Sequence, residues 1–237
     1  MRWLRSALFN LAFFGWTVLF GLAFVWMLLG TARAAFAYLR IWAATIAWLL
    51  ARLVGLEMEV RGRDNLPSGP AIIASKHQSA WETVMFFLVL REPAFVLKRE
   101  LTHVPLYGWY ARKTGAIAVD RTAGARAVKR LVEAARRALA AGRSVVIFPE
   151  GTRAAPGRRL PYNPGVAALY TQLDAPVVPT ALNSGLFWGR RSFMKRPGKI
   201  VVQFLPPMPR GLDKRRFMAE LERRIEEGAT ALAAEAA

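Results

Sequence analysis

The segment Ser75–Glu82 (SKHQSAWE) contains a histidine after an apolar run and, five residues later, a carboxylate. A neutral imidazole is the usual general base near neutral pH, and a carboxylate on its other nitrogen fixes the tautomer and stabilises the imidazolium. His77 and Glu82 are five residues apart. Within one helix that separation would turn the two side chains about 140° away from each other. The spacing therefore predicts that His77 lies on a loop before the helix that carries Glu82; the alternative is a strand-end histidine capped by a helix residue.

Two basic residues follow apolar runs further along the chain. Lys98 ends the run that begins at Ala94, and Arg121 follows the run Gly115–Asp120 (GAIAVD). Because ligands bind at the carboxyl ends of strands in α/β sheets, both residues are candidates for binding an anionic group. Surface ion pairing is the alternative for both. His103 lies between them and is interpreted as a loop residue.

A turn with a glycine, Phe148–Arg153 (FPEGTR), follows another apolar run. Gly151 lets the backbone turn tightly and approach a ligand, and the planar fork of Arg153 suits phosphate oxygens. The alternative is a plain turn with a surface arginine. A further apolar run ends in small polar residues at Val177–Gly185 (VVPTALNSG), which fits either a pocket wall or an ordinary strand-to-turn junction.

Secondary structure elements must position these segments. The apolar runs predict six strands, over Ala71–Ser75, Ala94–Leu97, Ala116–Val119, Ser144–Phe148, Val177–Leu182 and Lys199–Leu205. Four helices are predicted, over Trp81–Leu90, from a Thr122 cap to Gly142, over Pro164–Leu173, and from about Asp213 toward Glu235. Strands that alternate with helices predict an α/β fold with a mixed, mostly parallel sheet flanked by helices.

The N-terminal stretch Ser6–Gly30 contains no charged residue over 25 positions. As a helix it would span roughly 37 Å, enough to cross a hydrocarbon core of about 30 Å. Leu, Phe and Trp occur on every face, so the polar stripe of a surface helix is missing. A cleaved signal peptide, with Ala32–Ala34 as its cleavage site, would have a shorter apolar core of about 7–15 residues. A buried helix of a soluble core is the other alternative.

A second apolar stretch, Ile41–Leu56, is shorter and is interrupted by Arg52. It fits a helix that lies in the membrane interface or pairs with the first stretch as a hairpin. Arginines flank both ends of the first stretch in nearly equal number, so a monotopic hairpin and a true span both remain open. The turn-rich segment Arg61–Pro70 follows. We therefore expect membrane-associated helices over residues 1–56 and an α/β domain over residues 57–237.

The composition excludes several kinds of chemistry. The 237 residues include no cysteine and two histidines, which excludes disulfides, a cysteine nucleophile and thiolate metal ligands, and a metal site is not predicted. The 34 Lys and Arg residues outnumber 16 acidic residues and give a charge of +18, which attracts anionic lipid, phosphorylated ligands or nucleic acid. The cations are dispersed and lack a helix-turn-helix or RNP-type aromatic pattern, so a nucleic-acid partner is not predicted.

One predicted helix carries a concentration of these charges. Between Thr122 and Ala141 the basic residues are Arg126, Lys129, Arg130, Arg136 and Arg137. Their face is either solvated or a docking surface for anionic lipid or an acidic carrier protein. Each basic residue near an anionic membrane would contribute about 1 kcal/mol.

Taken in order and spacing, the segments from about Pro70 to Gly185 resemble the glycerolipid acyltransferases, most closely the bacterial 1-acyl-glycerol-3-phosphate acyltransferases. That family has a His-x4-Asp block, a G-x-I-x-x-D-R run, an F-P-E-G-T-R block and a V-P-V/T-type strand. FPEGTR after the run SVVIF is the most specific of these features. Glu82 stands where the family usually has Asp. We interpret this difference as conservative for the mechanism, because some similar acyltransferases also use Glu.

The resemblance implies the glycerolipid acyltransferase fold over residues 57–237, with the N-terminal helices embedded in the membrane. It implies transfer of a fatty acyl group from acyl-CoA or acyl-[acyl carrier protein] to the sn-2 hydroxyl of lysophosphatidic acid. The product would be phosphatidic acid, for phospholipid biosynthesis. It also implies an enzyme without a metal or other cofactor. The compact form and the high Arg and Ala content indicate a bacterial protein from a GC-rich genome, which would place the enzyme at the cytoplasmic face of the inner membrane, near an anionic membrane surface.

The resemblance also implies roles for individual residues. His77 would take the proton of the acceptor hydroxyl, and Glu82 would orient His77. Six residues would form the acceptor site, namely Lys98, Arg121 and Arg153 at the phosphate, with Glu150, Gly151 and Thr152 beside them. Three alternatives remain: a related acyltransferase for another lysophospholipid or a lyso-ornithine lipid, a hydrolase that uses the same pair on water, and a membrane-tethered basic protein that binds nucleic acid.

Overall fold

One sheet carries the chemistry-bearing segments in the computed structural model, which describes residues 1–236. Its strands are β1 (Leu56–Arg61), β2 (Ile72–Ser75), β3 (Ala94–Lys98), β4 (Ile117–Val119), β5 (Val145–Ile147), β6 (Val177–Leu182) and β7 (Gly198–Phe204). They lie in the order β1-β7-β6-β2-β5-β3-β4, and only β6 and β7 pair antiparallel. The carboxyl ends of β2 to β6 therefore share one edge. The predicted mixed, mostly parallel sheet is confirmed.

Helices cover both faces of this sheet. They are α1 (Arg2–Ala23), α2 (Ala32–Leu49), α3 (Trp81–Val89), α4 (Tyr107–Lys113), α5 (Ala125–Ala140), α6 (Gly165–Gln172), α7 (Ser184–Phe187) and α8 (Lys214–Ala234). Short 3-10 turns occur at Val25–Leu29, Arg63–Asn65, Arg99–His103 and Arg121–Ala123, and a π-helical turn, Leu50–Val54, continues α2.

The central strands are buried on both sides, which explains their continuous apolar runs. Consecutive residues of a strand point to opposite faces. Ile73 and Val146 pack in one core with residues of α1, α2 and α3. Ile72 and Val145 pack in a second core with residues of α5, α6 and α8. The sheet thus separates the apolar N-terminal helices from the basic helix α5.

All six predicted strands are present within one or two residues of their expected ends. The sequence did not indicate β1 or α4. In β1 (LEMEVR) polar residues alternate with apolar ones, and only Leu56 is fully buried, because the strand lies at an edge of the sheet. Phe217, Leu221 and Ile225 of α8 are completely buried, as expected for core residues.

The predicted start of α5 was wrong. Thr122 does not cap this helix, which begins at Ala125 after Gly124. The Asp120 carboxylate accepts hydrogen bonds from both the Thr122 amide (3.0 Å) and the Thr122 hydroxyl (2.6 Å). These bonds hold Thr122 in a separate 3-10 turn. The predicted end was right, since Gly142 takes a left-handed conformation (φ 73°) after the last turn.

The expected single helix over Ser6–Gly30 was also wrong. The α-helix ends at Ala23, and a 3-10 turn leads the chain back into α2. The Tyr110 hydroxyl donates to the Phe24 carbonyl (2.8 Å) at this point, and Phe20, Tyr38 and Tyr110 stack on one another. These contacts come from residues far along the chain, so local hydropathy did not reveal them.

The second helical segment is longer than the apolar stretch that predicted it. It begins at Ala32, capped by the Thr31 hydroxyl, and runs to Val54. Both segments are long and apolar enough to cross a membrane, with mean hydropathies of 1.6 for Arg2–Ala23 and 1.5 for Ala32–Val54. The outward face of α1 exposes Trp3, Leu4, Leu8, Leu11, Phe14, Val18, Leu19 and Leu22.

Candidate active site

The loop between β2 and α3 carries His77, as the five-residue spacing predicted. β2 ends at Ser75, and α3 begins at Trp81 and places Glu82 in its first turn. Because His77 lies outside the helix, its ring can turn back toward the Glu82 carboxylate. The two side chains meet, with His77 Nδ1 2.9 Å from Glu82 Oε1.

Glu82 is completely buried, and its carboxylate accepts hydrogen bonds from two backbone amides and one hydroxyl. Its Oε1 atom accepts hydrogen bonds from the amides of Gln78 and Ser79, both at 2.7 Å, in addition to its contact with His77. Its Oε2 atom accepts the Ser184 hydroxyl at 2.8 Å. Both carboxylate oxygens are therefore held in place before any substrate binds.

Ser184 is a site residue that the sequence did not single out. It follows β6, in the run of small polar residues that suggested a pocket wall, and it is completely buried. β6 pairs directly with β2, so the residues that follow these two strands lie close together. Glu82 and Ser184 meet in this way, although 102 positions separate them in the sequence. Only the strand order reveals this contact.

The imidazole of His77 presents one free nitrogen. Its ring stacks on Phe148 with 4.1 Å between centroids and an angle of 21°, and 15% of the side chain is exposed. Nδ1 is engaged by Glu82, whereas within residues 1–236 Nε2 has no hydrogen-bond partner. The carboxylate thereby favours the tautomer with its proton on Nδ1, which leaves the Nε2 lone pair as the base.

The carboxylate of Glu150, in the FPEGTR segment, is occupied by hydrogen bonds to the loop that carries His77. Its Oε2 accepts the His77 amide (3.0 Å), and its Oε1 lies 2.7 Å from Lys76 Nζ. Lys76 is 1% exposed, and its Nζ also lies 2.6 Å from Glu226 Oε1 on α8. The Tyr162 hydroxyl donates to that same oxygen at 3.1 Å. Burial raises the pKa of the Glu150 carboxyl, and the Lys76 ammonium opposes this rise.

Gly151 brings the FPEGTR turn against Arg121. Its φ of 66° lies in the left-handed region, and the Arg121 guanidinium donates to its carbonyl at 2.6 Å. A Cβ atom at this position would lie 2.7 Å from the Asn163 amide nitrogen and 3.0 Å from the Arg121 guanidinium. A side chain therefore cannot fit without displacing one of them.

Three other predicted residues lie at the same edge of the sheet. Lys98 is exposed at the end of β3, while Thr152 and Arg153 are half-buried in the turn after β5. Within residues 1–236 none of these side chains forms a hydrogen bond or an ion pair. With strands about 4.8 Å apart, β3 lies about 10 Å and β4 about 14 Å from β2. Arg121 extends from β4 back toward β5, which shortens its distance to the histidine loop.

Comparisons with known proteins show which family the chain belongs to. The family described as Acyltransferase matches residues 57–183. A 1-acyl-sn-glycerol-3-phosphate acyltransferase from Pseudomonas aeruginosa is 38% identical over 185 residues, which cover 78% of this chain and 72% of the relative. One of the same name from Limnanthes alba is 32% identical over 195 residues, covering 78% and 68% of the two chains.

A solved structure has the same fold. The crystal structure of the 1-acyl-sn-glycerophosphate (LPA) acyltransferase PlsC from Thermotoga maritima superposes with a TM-score of 0.82 and 20% sequence identity. The match covers 99% of this chain and 98% of the other, so it includes the N-terminal helices as well as the sheet.

Proposed function

The chain belongs to the acyltransferase family, and on that premise we propose that it acylates the sn-2 hydroxyl of 1-acyl-glycerol-3-phosphate to give phosphatidic acid. This makes it an enzyme of phospholipid biosynthesis. The observation that carries the proposal is the His77–Glu82 hydrogen bond, with Nε2 free, beside a turn that contains Arg153 and is contacted by Arg121. Such a site combines a general base with cations for a phosphate.

The reaction needs no nucleophile from the protein, because the acceptor hydroxyl attacks the thioester carbonyl itself. His77 Nε2 takes the hydroxyl proton while the new C–O bond forms. The buried Glu82 carboxylate stabilises the imidazolium that results. The C–S bond then breaks, and the imidazolium returns the proton to the leaving thiolate. Over the two steps the hydroxyl proton passes through His77 to the thiol, and the electron pair of the C–S bond leaves with the sulfur.

The cations at this edge of the sheet would bind the phosphate of the acceptor. We assign its binding to Arg121 and Arg153, whose guanidinium groups can form bidentate bonds to phosphate oxygens, with Lys98 as a third charge. Gly151 and Thr152 form the floor of this region. Glu150 acts as a positioning residue, because its carboxylate is occupied by Lys76 and the His77 amide.

The donor is a fatty acyl thioester. Acyl-CoA and acyl carrier protein both satisfy this chemistry, since the reacting group is the same in the two molecules. Another lysophospholipid or a lyso-ornithine lipid would use the same base but would depend less on the arginines.

The protein is associated with membranes, and we propose that residues 1–56 hold it in one leaflet while residues 57–237 form the acyltransferase domain. Both ends of α1 bond to the α/β domain. Ser6 Oγ accepts the Lys195 amide at 3.0 Å, and the Phe24 carbonyl accepts the Tyr110 hydroxyl at 2.8 Å. A helix that crossed the bilayer would have one end about 27 Å away from the other along the membrane normal. Contact at both ends supports an orientation along the membrane surface.

Apolar side chains of the α/β domain continue the exposed face of α1. They are Leu101, Val104, Tyr107, Trp109, Phe193 and Met194. Trp3 of α1 lies 5.7 Å from Phe193 between ring centroids, which joins the two surfaces at one end. We place the site on the cytoplasmic side of the inner membrane, where acyl thioesters are made, with surface cations near anionic lipid headgroups.

A donor and acceptor assay with one matched pair of variants tests the function. Full-length protein in detergent is given oleoyl-CoA and lysophosphatidic acid, and phosphatidic acid is measured. His77→Ala is expected to lower kcat by about 10²–10⁴-fold, the usual contribution of a general base. His103→Ala, the other histidine, is expected to leave it unchanged.

Other results would change the assignment. No product from the wild type, with either donor and any lysolipid, would overturn the acyltransferase proposal. Product from a different lysolipid alone would keep the base and change the acceptor. Release of free fatty acid without acceptor would indicate a hydrolase.

A further inference from the structure

Helix α5 carries an exposed stripe of five cations and one carboxylate. Its buried residues, such as Leu131 and Ala135, face the sheet. The opposite face exposes residues with the three- and four-residue spacing of one helix side, namely Arg126, Lys129, Arg130, Glu133, Arg136 and Arg137. From Arg126 to Arg137 this cationic stripe is about 16 Å long.

The cationic stripe carries an excess of positive charge, because Glu133 is its only carboxylate. Within residues 1–236 no carboxylate lies within ion-pair distance of its five cations, and only Arg136 forms a hydrogen bond, to the Gln172 carbonyl at 3.1 Å. Helix α8 is different, because Glu220 pairs there with both Arg223 and Arg224 at 2.6–2.7 Å. The excess positive charge of α5 is therefore available to an anionic partner.

The cationic stripe faces away from the apolar surface of α1. α1 packs on the face of the sheet that contains Ile73, and α5 on the face that contains Ile72. If α1 lies in the membrane, the thickness of the sheet and of α5 separates the stripe from the same lipid surface. This position favours a soluble acidic partner over a lipid headgroup.

An open groove lies beside α5. It runs along β4, whose outer edge is unpaired because β4 ends the sheet. Two hollows of about 480 and 430 Å³ form this groove, and Arg130 lines both of them. The second hollow reaches Asp120 and Ala123, the neighbours of Arg121, which bonds to Gly151 in the site.

We propose that the cationic stripe of α5 docks a small acidic acyl carrier protein, whose flexible acyl-bearing arm follows the β4 groove to His77. The inference rests on the proposed function and identifies the donor for it. A stripe about 16 Å long matches an acidic helix of a protein better than the compact phosphates of a nucleotide. Charge complementarity of this kind mainly raises the association rate and is weakened by salt.

The test compares two donors in the full-length enzyme in detergent. A bacterial palmitoyl-acyl carrier protein and palmitoyl-CoA are each used with lysophosphatidic acid at low and moderate ionic strength. The variant Arg130→Glu/Arg137→Glu is expected to lower kcat/KM for the carrier-bound donor at least tenfold and to reduce its salt dependence. With palmitoyl-CoA the change is expected to stay within twofold.

A matched control separates docking from net charge. Lys214→Glu/Arg215→Glu makes the same charge change at exposed positions of α8 and is expected to leave both donors unaffected. If glutamates unfold α5, Arg130→Gln/Arg137→Gln gives the same selectivity with a smaller effect, of about threefold. Thermal unfolding of each variant checks that the fold is retained.

Each contrary result has its own meaning. Equal loss with both donors, or no loss with either, would overturn the docking proposal. Loss of binding to vesicles that contain phosphatidylglycerol, with carrier-dependent activity unchanged, would assign the stripe to the membrane instead. Absence of phosphatidic acid from either donor in the wild type would overturn the proposed function itself, whereas normal turnover of palmitoyl-CoA would leave that function intact.

Discussion

Lys76 Nζ lies 2.6 Å from Glu226 Oε1, which ties the loop of His77 to the C-terminal helix 150 residues further along the chain. Both residues are almost completely buried, at 1% and 5% exposure. Glu150 lies on the other side of the same ammonium, 2.7 Å away, and also bonds to the His77 amide. The position of the histidine backbone therefore depends on a buried cluster of one cation and two carboxylates.

The charges of this cluster predict an asymmetry between its members. Lys76→Met would leave two buried carboxylates without a cation, and we expect it to lower the free energy of unfolding by about 3–5 kcal/mol. Glu226→Gln leaves one cation, Lys76, paired with one carboxylate, Glu150, and keeps an acceptor for Tyr162. We therefore expect the free energy of unfolding to fall by about 1 kcal/mol or less. Chemical denaturation in detergent measures both. A larger loss in Glu226→Gln than in Lys76→Met would contradict this account of the cluster.

At position 82, loss of the negative charge should lower activity strongly even when the size of the side chain is kept. Glu82→Gln keeps an oxygen for the three donors at Oε1 but removes the negative charge beside His77, and we expect kcat to fall by about 10²–10⁴-fold, as loss of an orienting carboxylate does in other proton-transfer pairs. KM for the acceptor should stay nearly constant, because Glu82 is completely buried. Steady-state kinetics separate the two parameters, and a rise in KM alone would show that Glu82 is not part of the chemistry.

Ser184 offers a test of why this chain has Glu at position 82. Glu82→Asp shortens the side chain, so it cannot reach both the His77 loop and the Ser184 hydroxyl. We expect Ser184→Ala and Glu82→Asp each to lower kcat by roughly tenfold, in line with one hydrogen bond to a charged group. The double variant should be no worse than Glu82→Asp alone, because the shared bond is already lost. Additive effects in this double-mutant cycle would contradict the coupling.

Gly151 has a matched control in the same region of the chain. Gly151→Ala adds a Cβ atom that would lie 2.7 Å from Asn163 and 3.0 Å from Arg121. Gly157→Ala has a similar φ, 76° against 66°, but nothing within 4 Å of its Cβ atom. Both variants should lose about 1–2 kcal/mol for a non-glycine left-handed residue. Only Gly151→Ala should also raise KM for lysophosphatidic acid, by about tenfold, because it displaces Arg121. Equal KM values in the two variants would contradict the assignment of Arg121 to the acceptor site.

Lys195 predicts a pH dependence of stability. Burial lowers its pKa to about 8, while its Nζ donates to Asn10 Oδ1 and to two backbone carbonyls at 2.9–3.0 Å. Between pH 8 and about 10.5 the unfolded chain therefore binds more protons at this site than the folded one. The contribution of Lys195 to stability should rise with pH over this window, by at most about 1.4 kcal/mol per pH unit.

The neutral variant Lys195→Met isolates this contribution. Thermal unfolding of both proteins in detergent from pH 7.5 to 10.5 gives the difference between them as a function of pH. We expect the wild type to gain stability relative to the variant as the pH rises. A difference that does not change with pH, or that changes in the opposite direction, would contradict the assignment.

The sequence by itself determined the elements and the segments that carry the chemistry. Six strands and four helices followed from apolar periodicity, because burial on one or both faces restricts which residues each position accepts. The placement of His77 on a loop followed from helix geometry alone. The order of the motifs was sufficient for the resemblance to the acyltransferases, and the comparisons confirm that family.

Only the tertiary structure decided which of these segments meet. Local patterns do not specify strand order, so they gave no sign that Ser184 reaches Glu82 or that Glu226 reaches the residue before His77. The sequence does not distinguish a buried lysine such as Lys76 from a surface lysine, because its burial depends on carboxylates 74 and 150 residues away. The same holds for α1, where hydropathy indicates a membrane helix, but contacts with residues more than 80 positions distant determine where it ends and how it lies.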